Sequence, residues 1–128
     1  MSRKNISSGA PWEATVGYSR AVKVGSLVFV AGTTATNSDG QMVGIGNAYE
    51  QTFFVLKKIE KALQEAGATF NNVVRTRIFV KNMDDWEAIG RAHGEVFKDI
   101  RPAATMVEVS RFIHDDILVE IEADAVIF

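Results

Sequence analysis

The segment Ile117–Phe128 (ILVEIEADAVIF) constrains the fold more than any other. Val119, Ile121, Ala123, Ala125 and Ile127 fall on one side and Glu120, Glu122 and Asp124 on the other, because side chains of an extended chain alternate with period two. It is therefore a strand with one face in a core. The acidic face leaves two readings open. It is solvated, as one face of an antiparallel sheet commonly is, or another subunit covers it and its acids line a pocket or pair with basic residues. Upstream, Ala103–Ser110 reads as a further strand and Arg111–Asp116 as the connecting turn region.

The rest of the chain supplies the other elements. Residues 1–14 read as irregular. Thr15–Val24 and Leu27–Thr36 read as paired strands, and Gly25-Ser26 between them suits a type II′ turn. Gly32 interrupts the second strand, where an interior glycine marks a bulge or a close backbone approach. Ser38-Asp39-Gly40 is a turn signal. Tyr49, Thr52, Leu56, Ile59, Leu63 and Ala66 recur at spacings of three and four, which predicts a helix over Ala48–Ala66. Lys57, Lys58, Lys61 and Gln64 fall between them and face water. Gly67 suits the left-handed helix stop. Val73–Val80 is a strand with Val74, Thr76, Ile78 and Val80 on one face and Val73, Arg75, Arg77 and Phe79 on the other. Asp84 opens a second helix with Glu87 three positions on, and Trp86, Ile89, His93 and Phe97 form its apolar stripe. Gly90 and Gly94 point to close packing there. Pro102 ends that helix by Arg101.

The resulting order is β-β-α-β-α-β-β, an α+β domain spanning residues 1–128, with two helices on one face of the sheet. The other face combines Arg75, Arg77, Glu120 and Glu122 with Val73, Phe79, Val126 and Phe128. A face that mixes opposite charges with apolar residues favours a protein partner, and the obvious one is another copy of the chain.

Composition excludes several classes. At 128 residues, one domain is the default. No apolar run approaches the about 20 residues of a membrane span, and MSRKNISSGAPW lacks the apolar segment of a secretory signal. The absence of Cys rules out disulfides and thiolate chemistry and fits a cytoplasmic location. A net charge of −2 without a Lys/Arg cluster gives no electrostatic reason to expect nucleic acid as a partner.

Chemistry then rests on few residues. His93 and His114, the two histidines, lack ligand spacing to a second soft ligand, so they read as a packed and a surface histidine and no metal site is expected. Gly44-Ile45-Gly46 lacks the third glycine and the preceding strand of a dinucleotide fingerprint. Among the carboxylates Glu120 is best placed, flanked by Val119 and Ile121, to position water or exchange a proton. Its structural alternative is an ion pair with Arg75 or Arg77. Tyr18 reads on pattern alone as aromatic packing. Composition and spacing thus reach a small oligomeric α+β domain with a polar pocket and name no reaction.

The chain resembles the RidA/YjgF family of reactive-intermediate deaminases over nearly its whole length. The likeness is carried by Gly17-Tyr18-Ser19 with Ala21-Val22, by Leu27-Val28-Phe29-Val30-Ala31-Gly32, by Ala66-Gly67-Ala68 before Val73-Val74-Arg75-Thr76, and by Phe79-Val80-Lys81. Its most specific part is Arg101-Pro102-Ala103, Val107-Glu108-Val109 and Val119-Glu120-Ile121-Glu122-Ala123. The resemblance implies a chorismate-mutase-like fold and a homotrimer with small-molecule pockets between adjacent subunits. It implies hydrolysis of 2-imino or 2-enamino acids to 2-oxo acids and ammonia, without metal or organic cofactor. Tyr18 would orient the ligand, the Gly32 N–H would stabilise developing charge, and Glu120 would hold the attacking water. Ala31, Gly32, Thr33, Ala104 and Met106 would line the ligand site.

Ala104 departs from the family pattern. Deaminating members carry an Arg there, whose guanidinium grips the substrate carboxylate as a fork. Met106 stands where such members often have Cys, and Gly90 where they often have Asn. Losing a bidentate charge-assisted contact costs about 1.5–3 kcal/mol of binding. The chain therefore resembles the family's arginine-lacking subgroups. Arg77, on the partner-facing side, and Arg101, three residues before Ala104, are candidates to replace the guanidinium. Three functions stay open: an imine or enamine hydrolase of altered specificity, a non-catalytic small-molecule binder or regulatory trimer using the same pocket, and, ranked last because the acidic balance speaks against it, the nucleic-acid-acting or translation-inhibiting role attributed to some relatives.

Overall fold

The structure, a computed structural model, describes residues 2–128. Its strands are β1 (Arg3–Ile6), β2 (Ala21–Val24), β3 (Leu27–Thr33), β4 (Val73–Val80), β5 (Ala103–Glu108) and β6 (Val119–Val126); its long helices are α1 (Ala48–Glu65) and α2 (Trp86–Phe97). The strands form one sheet in the order β1-β2-β3-β6-β4-β5. All neighbours are antiparallel except β4 and β5, which run parallel and are joined through α2. Both helices lie on one face of this mixed sheet, which is the chorismate-mutase-like arrangement.

The predicted alternation of β6 holds along its length. Val119, Ile121, Ala123 and Ala125 are buried, and the residues between them are half-buried. Against them pack Val28 and Val30 of β3, Ile78 and Val80 of β4, Leu56, Ile59 and Leu63 of α1, and Ile89 and Phe97 of α2. Each such side chain contributes about 1.5–3 kcal/mol by leaving water. Helix α1 starts where the Asn47 side chain accepts from the Glu50 N–H at 2.9 Å. It stops at Gly67, whose φ of 84° lets its N–H reach the Gln64 oxygen while that of Ala68 reaches Leu63.

Several local expectations fail. Residues 3–6 form an edge strand on β2. Thr15–Gly17, expected as the start of a strand, belongs to a helical turn, Glu13–Gly17, and only Ala21–Val24 is extended. Glu13 anchors that turn by accepting from the Ser8 N–H and hydroxyl. In β4 the register slips between Val73 and Arg75, so Val73 turns into the core and Val74 out of it, the reverse of the simple alternation. Helix α2 is led in by a short turn, Met83–Asp85, capped by the Asn82 side chain; the Asp84–Glu87 capping pair does not form. Trp86 is 54% exposed and not part of the buried stripe. A side chain built at Gly90 or Gly94 would meet nothing within 4 Å, so no close packing accounts for these glycines.

Candidate functional site

The site grows from an irregularity in β3. This strand pairs with β6 through Val30↔Ala123 and next through Thr33↔Ile121, leaving Ala31 and Gly32 together opposite Glu122. That is a β-bulge at the interior glycine. It brings the Gly32 backbone against Glu120. A Cβ at Gly32 would lie 2.8 Å from Glu120 Oε2 and 3.0 Å from its Cδ, so any larger residue would push this carboxylate aside.

Arg20 braces the same bulge. Its backbone is fixed on both sides, its N–H donating to Ile6 at 2.8 Å and its carbonyl accepting from Ala31 at 3.0 Å. Its Nη2 donates to the Gly32 oxygen, and its Nε is buried without an acceptor. Burial lowers the Arg20 pKa, opposed by Tyr18, Glu13 and Glu120. Burial likewise pushes the Glu120 carboxyl up; Arg20 opposes this and Glu122 adds to it. From α1, Lys58 donates to the Thr34 and Thr36 carbonyls at 2.7 and 2.8 Å. Burial, with Arg20 nearby, brings its pKa down to about 8.

These groups border one open cleft of about 1340 Å³, lined by Tyr18, Arg20, Gly32, Lys58 and Glu120, with Trp12, Val16 and Ile113 among its apolar residues. A smaller hollow of about 680 Å³ adjoins it, with Tyr18 shared and Ala31, Phe29, Glu122 and Asp124 in its wall. Three expected site residues, Tyr18, Gly32 and Glu120, therefore meet. Ala31 opens onto the smaller hollow. Thr33 does not face a ligand: the bulge shifts the strand's parity by one residue, and its side chain is 1% exposed, with its hydroxyl donating to the Ala31 oxygen.

The remaining expected residues lie elsewhere. Ala104 and Met106 are on β5, in register with the buried Thr76 and Ile78 and so on the helix side of the sheet. Arg77 is on the opposite side, 3.1 Å from Asp124 and 3.5 Å from Glu122. It neither pairs with Glu120 nor reaches the side of Ala104 in its own chain. Arg101 has φ 57° and donates from Nε to the Lys98 oxygen, and it does not line the cleft. His93 is the packed histidine expected, with Nε2 2.9 Å from the Thr76 hydroxyl and its ring against Phe97. Among the described residues no group of three or more His, Cys, Asp or Glu is placed to hold a metal ion.

Arg20 and Lys58 escape a reading of the sequence. Lys58 lies among solvent-facing lysines by composition. The available signal was position: it stands three residues after Val55 and four before Ala62, both buried, hence on the edge of the core stripe. Arg20 carries no local signal, since the strand expected around it begins only at Ala21.

The family model described as Endoribonuclease L-PSP matches residues 8–127. An uncharacterized protein of Streptomyces coelicolor is 40% identical over 122 residues, 95% of this chain and 90% of that protein. The 3-aminoacrylate deaminase RutC of Acinetobacter baylyi is 32% identical over 108 residues, 84% of this chain and 85% of its own. Among solved structures, a member of the YjgF/YER057c/UK114 family from Mycobacterium tuberculosis superposes with a TM-score of 0.89 at 47% identity, covering 98% of this chain and 100% of the other. Sequence, fold and the Gly32–Glu120 contact agree with the likeness carried by the Val119–Ala123 motif, and the chain belongs to the RidA/YjgF family.

Proposed function

We propose that the protein hydrolyses reactive imines or enamines to carbonyl compounds and ammonia, with a specificity altered by Ala104. The observation that carries this reading is Glu120. Its carboxylate is half-buried, lies against the Gly32 backbone and borders a cleft shared with Tyr18. Among the described residues it has no cation within 4.0 Å. A carboxylate raised toward neutrality can take a proton and return it within one cycle. Water adds to the C=N carbon of the protonated imine, an iminium, as Glu120 accepts a proton from the water and the π electrons move to nitrogen. Glu120 then protonates the amine of the resulting carbinolamine. The C–N bond breaks, ammonia leaves, and the hydroxyl proton is released as C=O forms. An enamine first takes a proton at its β carbon to give the same iminium. Tyr18 orients the ligand and the Gly32 N–H offers a donor to developing charge. The deaminase activity carried in the name of the Acinetobacter relative supports this reaction class.

The complete pocket, on this reading, forms between subunits of a homotrimer of single-domain chains, residues 1–128. Strands β6 and β4 separate β5 from β3, so one chain alone keeps Ala104 and Met106 apart from Tyr18, Gly32 and Glu120. The sheet face away from the helices exposes Leu27, Phe29, Val107 and Phe128 by 42, 46, 41 and 89%, apolar area that a second copy would cover.

Ammonia release from freshly generated 2-iminopropionate tests the reaction, with light scattering on the same sample. Expected are turnover above the spontaneous rate and a particle of about three times the 14.0 kDa of one chain. Binding of the corresponding 2-oxo acid without turnover would favour the binder or regulator. A monomer would remove the intersubunit pocket.

A further inference from the structure

Two cations, Arg20 and Lys58, border the same cleft. Neither Arg20 nor Lys58 has a carboxylate within 4.0 Å among the described residues. Lys58 uses two of its three N–H donors on the Thr34 and Thr36 carbonyls. Arg20 spends Nη2 on Gly32 and leaves Nε without a partner. Both withdraw from water and each repels the other, an arrangement that is costly unless a counter-charge is present. Bracing a bulge and capping two carbonyls describe what these side chains touch. Glu13 and Glu120 offset part of the Arg20 charge without pairing with it, and Lys58 keeps a third N–H donor, so this end of the cleft can still take an anion.

We propose that Arg20 and Lys58 form the carboxylate-binding end of the cleft, doing within one chain what the guanidinium absent at Ala104 does in deaminating relatives, so that the ligand is a 2-imino or 2-oxo acid with its carboxylate between these cations and its C2 carbon toward Glu120. The position of C2 rests on the imine-hydrolase reading; the anion site does not. Trp12, Val16 and Ile113, exposed by 62, 70 and 92%, border the same cleft and give the body of the ligand an apolar wall. An aliphatic 2-oxo acid, 4-methyl-2-oxopentanoate, is therefore the probe, and its primary amide is the uncharged control.

Titration calorimetry on the full-length protein in its native assembly tests the site. The acid is expected to bind at least about tenfold more tightly than the amide, the difference a charge-assisted contact makes, and to weaken as salt is raised. Arg20→Gln and Lys58→Met each weaken the acid by about tenfold or more relative to any change in the amide, while Lys58→Arg retains binding. Equal affinity of the unaltered protein for acid and amide would overturn the proposal, and this comparison needs no variant to fold. Unchanged acid affinity in both charge-removing variants would overturn it as well. Charge-dependent acid binding without ammonia release from the imine would sink the hydrolase and leave the anion site standing. Ammonia release with the same KM in both variants would do the reverse.

Discussion

Glu120 and Glu122 leave the same strand on the same face, two residues apart, and meet opposite surroundings. Glu122 lies 3.5 Å from Arg77, which also holds Asp124 at 3.1 Å. Glu120 has no ion pair, and its carboxyl is pushed up by burial. The cause is register. Strand β4 sets Arg77 opposite Glu122 but Phe79 opposite Glu120. On the other flank, the β3 bulge removes a side chain beneath Glu120 by placing Gly32 there. Glu122 is engaged by its cation. An unpaired, half-buried acid keeps a proton affinity that chemistry can use. Identical residues on one strand are thus divided into a paired and an unpaired member by what the neighbouring strands present.

The strongest test of that division compares isosteric amides. Glu120→Gln is expected to lower kcat for imine hydrolysis by about 100-fold or more, the range lost with a general acid–base group. Glu122→Gln is expected to change it by no more than a few-fold. Equal losses would mean that the acidic face acts as one unit. A smaller effect is expected from Gly32→Ala. The added carbon must displace the Glu120 carboxylate from 2.8 Å contact, and a misplacement of this order costs roughly 10- to 100-fold in rate. Stability should not fall in proportion, because alanine stiffens the unfolded chain relative to glycine. A variant that loses rate and melting temperature together would indicate that the bulge itself had collapsed.

These contrasts also explain which features the sequence could reveal. The alternation in β6, the α1 periodicity and the Gly67 stop are local, so residue order states them. A bulge depends on which partner strand lies alongside and in what register. Gly32 therefore announced an irregularity but not its effect on Thr33, whose inward turn follows from the extra residue in β3. The same non-locality hid Val74 and, more importantly, the cations. Arg20 reaches the site only because β1 and β3 clamp its backbone on either side. Lys58 looked like one more surface lysine until the chain after β3 folded over it with two carbonyls.

Lys58 extends the comparison from acids to bases. Its pKa falls to about 8 from an ordinary 10.5, so between these values the unfolded chain holds a proton that the folded chain has released. Unfolding free energy contributed by this group therefore rises as pH goes from 8 to 10.5, and below 8 the full cost of its buried charge is present. The difference in stability between the unaltered protein and Lys58→Met should carry that slope, read from urea melts across the window. A flat difference would mean that Lys58 is solvated in the folded protein and belongs with the paired, surface charges.

Arg77→Gln should have the smallest effect. Its partners are partly solvent-exposed, with side-chain exposures of 36% for Glu122 and 26% for Asp124, and such pairs contribute about 0–1 kcal/mol. The expected result is a shift of a few degrees or less in melting temperature, shrinking as salt screens the pair, with kcat unchanged wherever the oligomer stays assembled, because Arg77 does not line the cleft. The informative outcome is assembly. If the face bearing Arg77 is covered by another copy, the charges left on Glu122 and Asp124 lose their partner inside an interface, where an unpaired charge is far more costly than in water. Dissociation of the oligomer at low concentration, seen by light scattering, would then accompany the small loss in stability. A variant with both unchanged mass and unchanged melting temperature would show this pair to be an ordinary surface contact.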